Sequence, residues 1–127
     1  MPYKGSTRAI VHLIDDDFAV RHSTELLIQI ADIEVGAYAS GSEFLNDANP
    51  KEIRCLVIDV NMPGMNGIVL LDRLRRGGVL APAIFITAAG NTIALRDAVA
   101  RTGATVLLKP FKPGELITQI KNALDGN

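Results

Sequence analysis

The run Cys55-Leu56-Val57-Ile58, followed at once by Asp59 and, beyond the loop Met62-Pro63-Gly64-Met65, by Ile68, Leu71 and Leu74 at helical spacing, decides the fold. Four apolar residues rich in β-branching are too short for a free-standing helix and read as a buried strand. The spaced leucines after them read as a helix with one apolar stripe. Working outward, the same alternation recurs. Ile10–Ile14, Ala83–Ile86 and Thr105–Leu108 are strands of the same kind. Glu34–Tyr38, of mixed polarity and bounded by Ser40-Gly41-Ser42, is a weaker strand suited to a sheet edge. Val20, Thr24, Leu27 and Ala31 form a second helical stripe, and Leu116, Ile120 and Ala123 a third.

The boundaries carry their own signals. Ser40 and Glu43 have capping-box spacing ahead of Phe44 and Leu45, and Asp17 can cap a helix starting near Phe18. Asn91 is expected to cap the segment Thr92–Thr102, which Gly103 ends, and Pro113 fits the first turn of the last helix. Strands alternating with helices imply right-handed crossovers, hence an α/β fold with a single doubly wound, five-stranded parallel sheet and five helices. No repeat, low-complexity segment or linker divides the chain, so one domain is expected over residues 1–127, with its core at about 9–124.

The 127 residues carry 13 Lys+Arg against 14 Asp+Glu, with 48% hydrophobic and 21% charged residues. That balance supplies one core, excludes a disordered tail, and offers no field to attract nucleic acid or an acidic membrane. The single cysteine, Cys55, excludes an internal disulfide and a cysteine-based zinc site. The longest uncharged stretch, Gly77–Leu95, is too broken by glycine, proline and polar residues to span a membrane. Met1–Arg8 does not read as a signal peptide, and a cytoplasmic location is expected.

Ligands of open parallel sheets sit beyond the carboxyl ends of the strands. Those ends carry Asp15, Asp16 and Asp17 after the first strand, Asp59 and then Asn61 after the third, Thr87 at the end of the fourth, and Lys109-Pro110 after the fifth. Carboxylates crowded together repel and require a cation. Oxygen-only donors point to magnesium, held by Asp15 or Asp16 with Asp59 and a backbone carbonyl near Asn61. Lys109 and Thr87 can then hold the oxygens of a transferring phosphoryl group, with Asp59 as the nucleophile. His12 and His22 have no second ligand at metal spacing, and Cys55 reads as a packing residue. Arg73, Arg75 and Arg76 close a helix whose dipole favours cations there, and Met62 and Met65 read as either packing or partner-facing.

These residues resemble the receiver domains of two-component response regulators. The resemblance runs from Ile10 to about Leu124 and rests on Leu13-Ile14-Asp15-Asp16-Asp17, Val57–Gly67, Thr87-Ala88 and Lys109-Pro110-Phe111. It implies a flavodoxin-like strand order 2-1-3-4-5. It also implies Asp59 as phosphoacceptor, Asp16 as direct Mg2+ ligand with Asp59, Asp15 acting through water, and Asn61 lending its backbone carbonyl. Thr87 is then the switch hydroxyl, Lys109 the ion-pairing lysine, Ala88 a neighbour of the phosphoryl group, and Lys109-Pro110 a cis bond. The implied partners are a sensor histidine kinase or phosphotransfer protein, docking near the first helix, and an output domain or effector, with no direct nucleic acid contact and no membrane. The output face, about Thr92–Leu124, is also where a homodimer is expected, the chain serving alone or as the N-terminal part of a transcriptional regulator.

One position departs from the family. Three residues before the lysine, where Tyr or Phe is usual, stands Val106, which has no ring to follow the threonine. Activation is therefore expected to work by backbone shifts of the loop after Thr87 and of the helix beyond it. Other readings compete. A receiver-like docking module without phosphorylation is kept alive by Val106, and a magnesium-dependent aspartyl phosphohydrolase lacks a second acid directly after Asp59 and a cap domain. A flavodoxin-type cofactor module fails because Asp15–Asp17 would repel the phosphate.

Overall fold

A computed structural model describes residues 10–126; the reading of Met1–Arg8 and the two ends of the 1–127 domain assignment lie outside the described residues. The strands are β1 (Val11–Ile14), β2 (Val35–Tyr38), β3 (Cys55–Asp59), β4 (Ala83–Thr87) and β5 (Thr105–Leu108). The helices are α1 (Phe18–Ile30), α2 (Gly41–Asp47), α3 (Gly67–Arg76), α4 (Ile93–Thr102) and α5 (Pro113–Asp125), with a 3-10 turn at Pro50–Glu52. All strand pairs are parallel, in the order β2-β1-β3-β4-β5, as the resemblance implies.

Both faces of the sheet are covered, which is why the central strands read as unbroken apolar runs. Val11, Leu13, Cys55, Val57, Ile84 and Ile86 turn to α1 and α5, meeting Ile28, Leu116 and Ile120. Ile14, Leu56, Ile58 and Phe85 turn to the other face, against Phe44 of α2, Leu70, Leu71 and Leu74 of α3, and Leu95 and Ala98 of α4. His12 is buried on that second face beside the rings of Tyr38 and Phe44, Met62 is buried, and Met65 packs at the core margin, so the histidine and both methionines are packing residues.

Several boundaries shift from the sequence reading for identifiable reasons. β1 starts at Val11 because the N–H groups of Ile10 and Val11 share one acceptor, the carbonyl of Glu34. β3 runs through Asp59, since Val60 N–H still bonds the carbonyl of Ile86 and extends the ladder past Ile58. In α1 the buried positions are Thr24 and Ile28, with Val20, Leu27 and Ala31 on the margins of that stripe. Thr92, not Asn91, caps α4, its hydroxyl accepting from Leu95 N at 3.1 Å. Ser40 accepts from Glu43 N as expected, while the Glu43 carboxylate reaches one residue further, to Ala39 N. Gly103 takes the left-handed turn with φ 77°.

Arg75 differs from its neighbours Arg73 and Arg76. Its guanidinium donates four hydrogen bonds, to the carbonyl oxygens of Val79, Ala81 and, twice, Thr102, tying the end of α3 to the strand β4 approach and to the end of α4. Gly67 opens α3 directly against β3. A Cβ there would lie 2.5 Å from the carbonyl oxygen of Asp59, 2.7 Å from Ile58 Cγ2 and 3.0 Å from Val60 Cα. Backbone on two sides cannot yield, so Gly67→Ala is expected to cost about 1–3 kcal/mol in urea denaturation and to shift the amide resonances of residues 58–61. A native-like midpoint would contradict that close approach.

Candidate functional site

The site lies where the strand order reverses, outside the carboxyl ends of β1 and β3. Each side chain arrives there because a buried strand ends beneath it. Asp15, Asp16 and Asp59 bring carboxylate oxygens that all lie within 4.8 Å of one another; Asp15 and Asp59 are buried and Asp16 is exposed. Asp17 serves the helix instead. Its carboxylate caps α1 by accepting from Val20 N, while its own N–H is held by Asp15 Oδ1 at 3.0 Å.

Lys109 follows β5 and reaches across to Asp59, its Nζ 3.7 Å from Oδ1. The same oxygen accepts from Asn61 N at 3.4 Å. Thr87 is 1% exposed, and its hydroxyl oxygen accepts from Ala89 N at 3.1 Å and from Asn61 Nδ2 at 3.4 Å. Ala88 and Ala89 are exposed small residues on the rim, and Lys109-Pro110 is cis. Val106 stands apart from the carboxylates, opposite Phe85 in the ladder and half-buried against the core beneath α4.

One cation does not balance three acids. Burial, then the charge of Asp15, lifts the Asp59 carboxyl from 3.8 to about 6, against the smaller opposing pulls of Lys109 and the Asn61 N–H; Asp16 adds to the rise. Asp15 is also raised, chiefly by burial, although the Asp17 N–H and Lys109 hold it down. This is an oxygen-donor pocket with unspent negative charge, the environment that suits a hard divalent ion. It also leaves a carboxylate with a nearby ammonium and hydroxyl, the groups needed to hold a transferring anion.

The structure brings together Asp15, Asp16, Asp59, Asn61, Thr87 and Lys109 and leaves Val106 outside. Arg21 was not singled out in the sequence. It donates from Nη1 to the carbonyl oxygen of Asp15 at 2.8 Å while lying over the Phe18 ring. It thus braces the acidic loop through the backbone without neutralising a carboxylate, and its place one turn into α1 after an acidic cap is the only signal it leaves in the sequence. The buried Cys55 thiol is pushed up to about 12 by burial, in keeping with a packing role. Among the described residues no helix is long and apolar enough to cross a membrane.

Comparison with known proteins agrees with this geometry. A family model described as the response regulator receiver domain matches residues 11–121. Nodulation protein W of Bradyrhizobium diazoefficiens is 34% identical over 122 residues, covering 96% of this chain and 54% of that protein. Transcriptional regulatory protein FixJ of Azorhizobium caulinodans is 34% identical over 114 residues, covering 90% and 54%. The chain spans about half the length of these curated relatives. Among solved structures, chemotaxis protein CheY4 of Vibrio cholerae superposes with a TM-score of 0.82 at 28% identity over 91% of this chain and 98% of that one. Response regulator StyR superposes with a TM-score of 0.81 at 36% identity, covering 93% and 60%.

The raised carboxyl sets a pH dependence. The folded chain holds the Asp59 proton more tightly than the unfolded chain does, so this group's contribution to stability falls as pH rises from about 4 through about 6. Asp59→Asn is therefore expected to stabilise the metal-free protein at pH 7 by about 1–3 kcal/mol, with about half that gain at pH 5. Urea denaturation of both proteins in the presence of a chelator at the two pH values measures this, and an equal or reversed gain would contradict it.

Proposed function

This chain belongs to the response regulator receiver domain family, and from that premise we propose that Asp59 accepts a phosphoryl group from a sensor histidine kinase or a phosphotransfer protein. The observation that carries the reading is the meeting of Asp59 with Lys109 Nζ, at 3.7 Å, and with the carboxylates of Asp15 and Asp16 at one strand edge. A carboxylate oxygen of Asp59 forms the new P–O bond as the donor's P–N bond breaks, the electron pair leaving with the imidazole nitrogen. Lys109 faces the phosphoryl oxygens, Thr87 donates its hydroxyl hydrogen to one of them, and Ala88 borders the group without obstructing it.

The oxygen donors and the unbalanced charge fit Mg2+, with Asp16 and Asp59 as direct ligands, the backbone carbonyl of Asn61 as a third, and Asp15 acting through water. An ion held by these residues would supply positive charge against the carboxylates and the phosphoryl oxygens. The domain is a signalling phosphoacceptor that assists its own phosphotransfer and dephosphorylation, acting on no separate substrate.

Phosphorylation alters the balance between two conformations through interactions made in only one of them. The face built from α4, β5 and α5, about Thr92–Leu124, carries the change to an output domain, an effector or a second copy of the chain. It makes no nucleic acid contact of its own, and α1 meets the kinase. The family match over residues 11–121 supports one receiver unit, and the half-length match to a transcriptional regulatory protein supports its working ahead of an output domain; we take the unit to span 1–127 and to act in the cytoplasm, ahead of such a domain or alone.

Intact mass after incubation with acetyl phosphate tests the reading. A gain of one phosphoryl group that requires Mg2+ and is absent in Asp59→Asn is expected. No adduct and no released phosphate would leave a docking module; rapid phosphate release without an adduct would point to a hydrolase. Because Ala89 is small and exposed beside the site, Ala89→Tyr is expected to crowd the path of attacking water and lengthen the phosphoaspartate lifetime several-fold; equal lifetimes would contradict this.

A further inference from the structure

Val106 leaves open what the loop after Thr87 rests on. Val106 is directed to the core under α4, whereas Leu108, two residues on along the same side of β5, reaches the loop. Leu108 is the ladder partner of Thr87, is 53% exposed, and lays its isobutyl group on Gly90. A Cβ at Gly90 would collide with Leu108 Cδ2 and lie 3.2 Å from Cγ and 3.6 Å from Cδ1, so all three nearest atoms belong to this one leucine. Gly90 is not among the glycines with positive φ, so its backbone admits a side chain, and what a Cβ there would have to displace is the tip of the half-exposed Leu108 side chain. The loop is held at its other end as well, where Lys109 N bonds the carbonyl of Thr87 at 2.9 Å and Ala89 N bonds its hydroxyl at 3.1 Å.

We infer that Leu108 is a positioning residue for Thr87, holding the loop 88–91 through Gly90 in the position it takes without a phosphoryl group. The inference rests on the receiver reading above. A phosphoryl group on Asp59 draws the Thr87 hydroxyl and the Ala88 backbone toward itself, Gly90 travels with them, and the contact with Leu108 is given up. An interaction present in one position and absent in the other biases the equilibrium between them. Leu108 thereby ties the switch to the exposed edge of the sheet without an aromatic ring.

Reciprocal size changes test this in the full chain. Affinity for beryllofluoride, a phosphoryl mimic, is measured with Mg2+ by the amide resonances of Ala88 and Ala89, alongside urea denaturation of each protein. Leu108→Ala removes the weight on the loop and is expected to bind the mimic about three- to tenfold more tightly. Gly90→Ala is expected to do the same, because its methyl takes the space of Leu108 Cδ2 and turns that flexible, exposed side chain off the loop. In the double variant that methyl fills part of the vacated space, so affinity returns to within about twofold of the native chain. Leu108→Met, which keeps the contact, stays native-like. Single variants that bind equally or more weakly, or a double variant that adds both gains, would overturn the inference while native binding leaves the receiver reading intact. A native chain that takes neither the mimic nor the phosphoryl group of acetyl phosphate overturns both.

Discussion

Three carboxylates share one edge of the sheet with, among the described residues, a single ammonium beside them, and the rest of the molecule can be understood as what is needed to keep them there. Burial of Asp59, and then the neighbouring charge of Asp15, oppose its ionisation, which is why its carboxyl is lifted from 3.8 to about 6. Such a cluster persists only where rigid neighbours impose it. Here Asp15 and Asp59 end two adjacent, fully buried strands, and the backbone N–H groups of Asp17 and Asn61 each give a carboxylate one fixed hydrogen bond. The strain is an opening for chemistry, because a cation or a transferred anion with its metal relieves what the protein alone cannot.

The sheet makes this possible by being covered on both sides. With apolar contacts above and below, the strands have little freedom to slide, and a register error would turn a buried face outward. Gly67 shows how tight the fit is: α3 begins so close to β3 that its first residue has no room for a methyl group. The Asp59 strand is therefore clamped from the helix side, while the loop after Thr87 is held by Ala89 N on the Thr87 hydroxyl and by Leu108 against Gly90.

Much of this was legible in the chain itself, and for a physical reason. Strands buried on both faces must be continuous and apolar, so each ends visibly where Asp15, Asp59, Thr87 or Lys109 begins, and finding the run finds the site. What could not be read depended on distance across the fold. Arg75 looks like Arg73 and Arg76 until the carbonyl of Thr102, far along the chain, is brought to it. Asn91 and Thr92 are both able to cap, and only the path of the loop selects Thr92. Arg21 meets a backbone carbonyl, which no side-chain pattern announces. The contact of Leu108 with Gly90 joins the end of β5 to the loop that follows the neighbouring strand, and a lone leucine before a lysine carries no trace of it.

The four hydrogen bonds of Arg75 make α4 a lever. They pin the Thr102 end to the neighbouring helix and to the approach of β4, while the first turn is joined to the sheet through the loop that follows Thr87. A rod of about 15 Å fixed at one end turns a small displacement at the other into a rotation about the fixed point. The travel is then greatest at Ile93, which is 70% exposed, and least at Arg101, whose guanidinium is paired with Asp72. A partner gripping the first turn would feel the stroke, and one gripping the last would feel almost none.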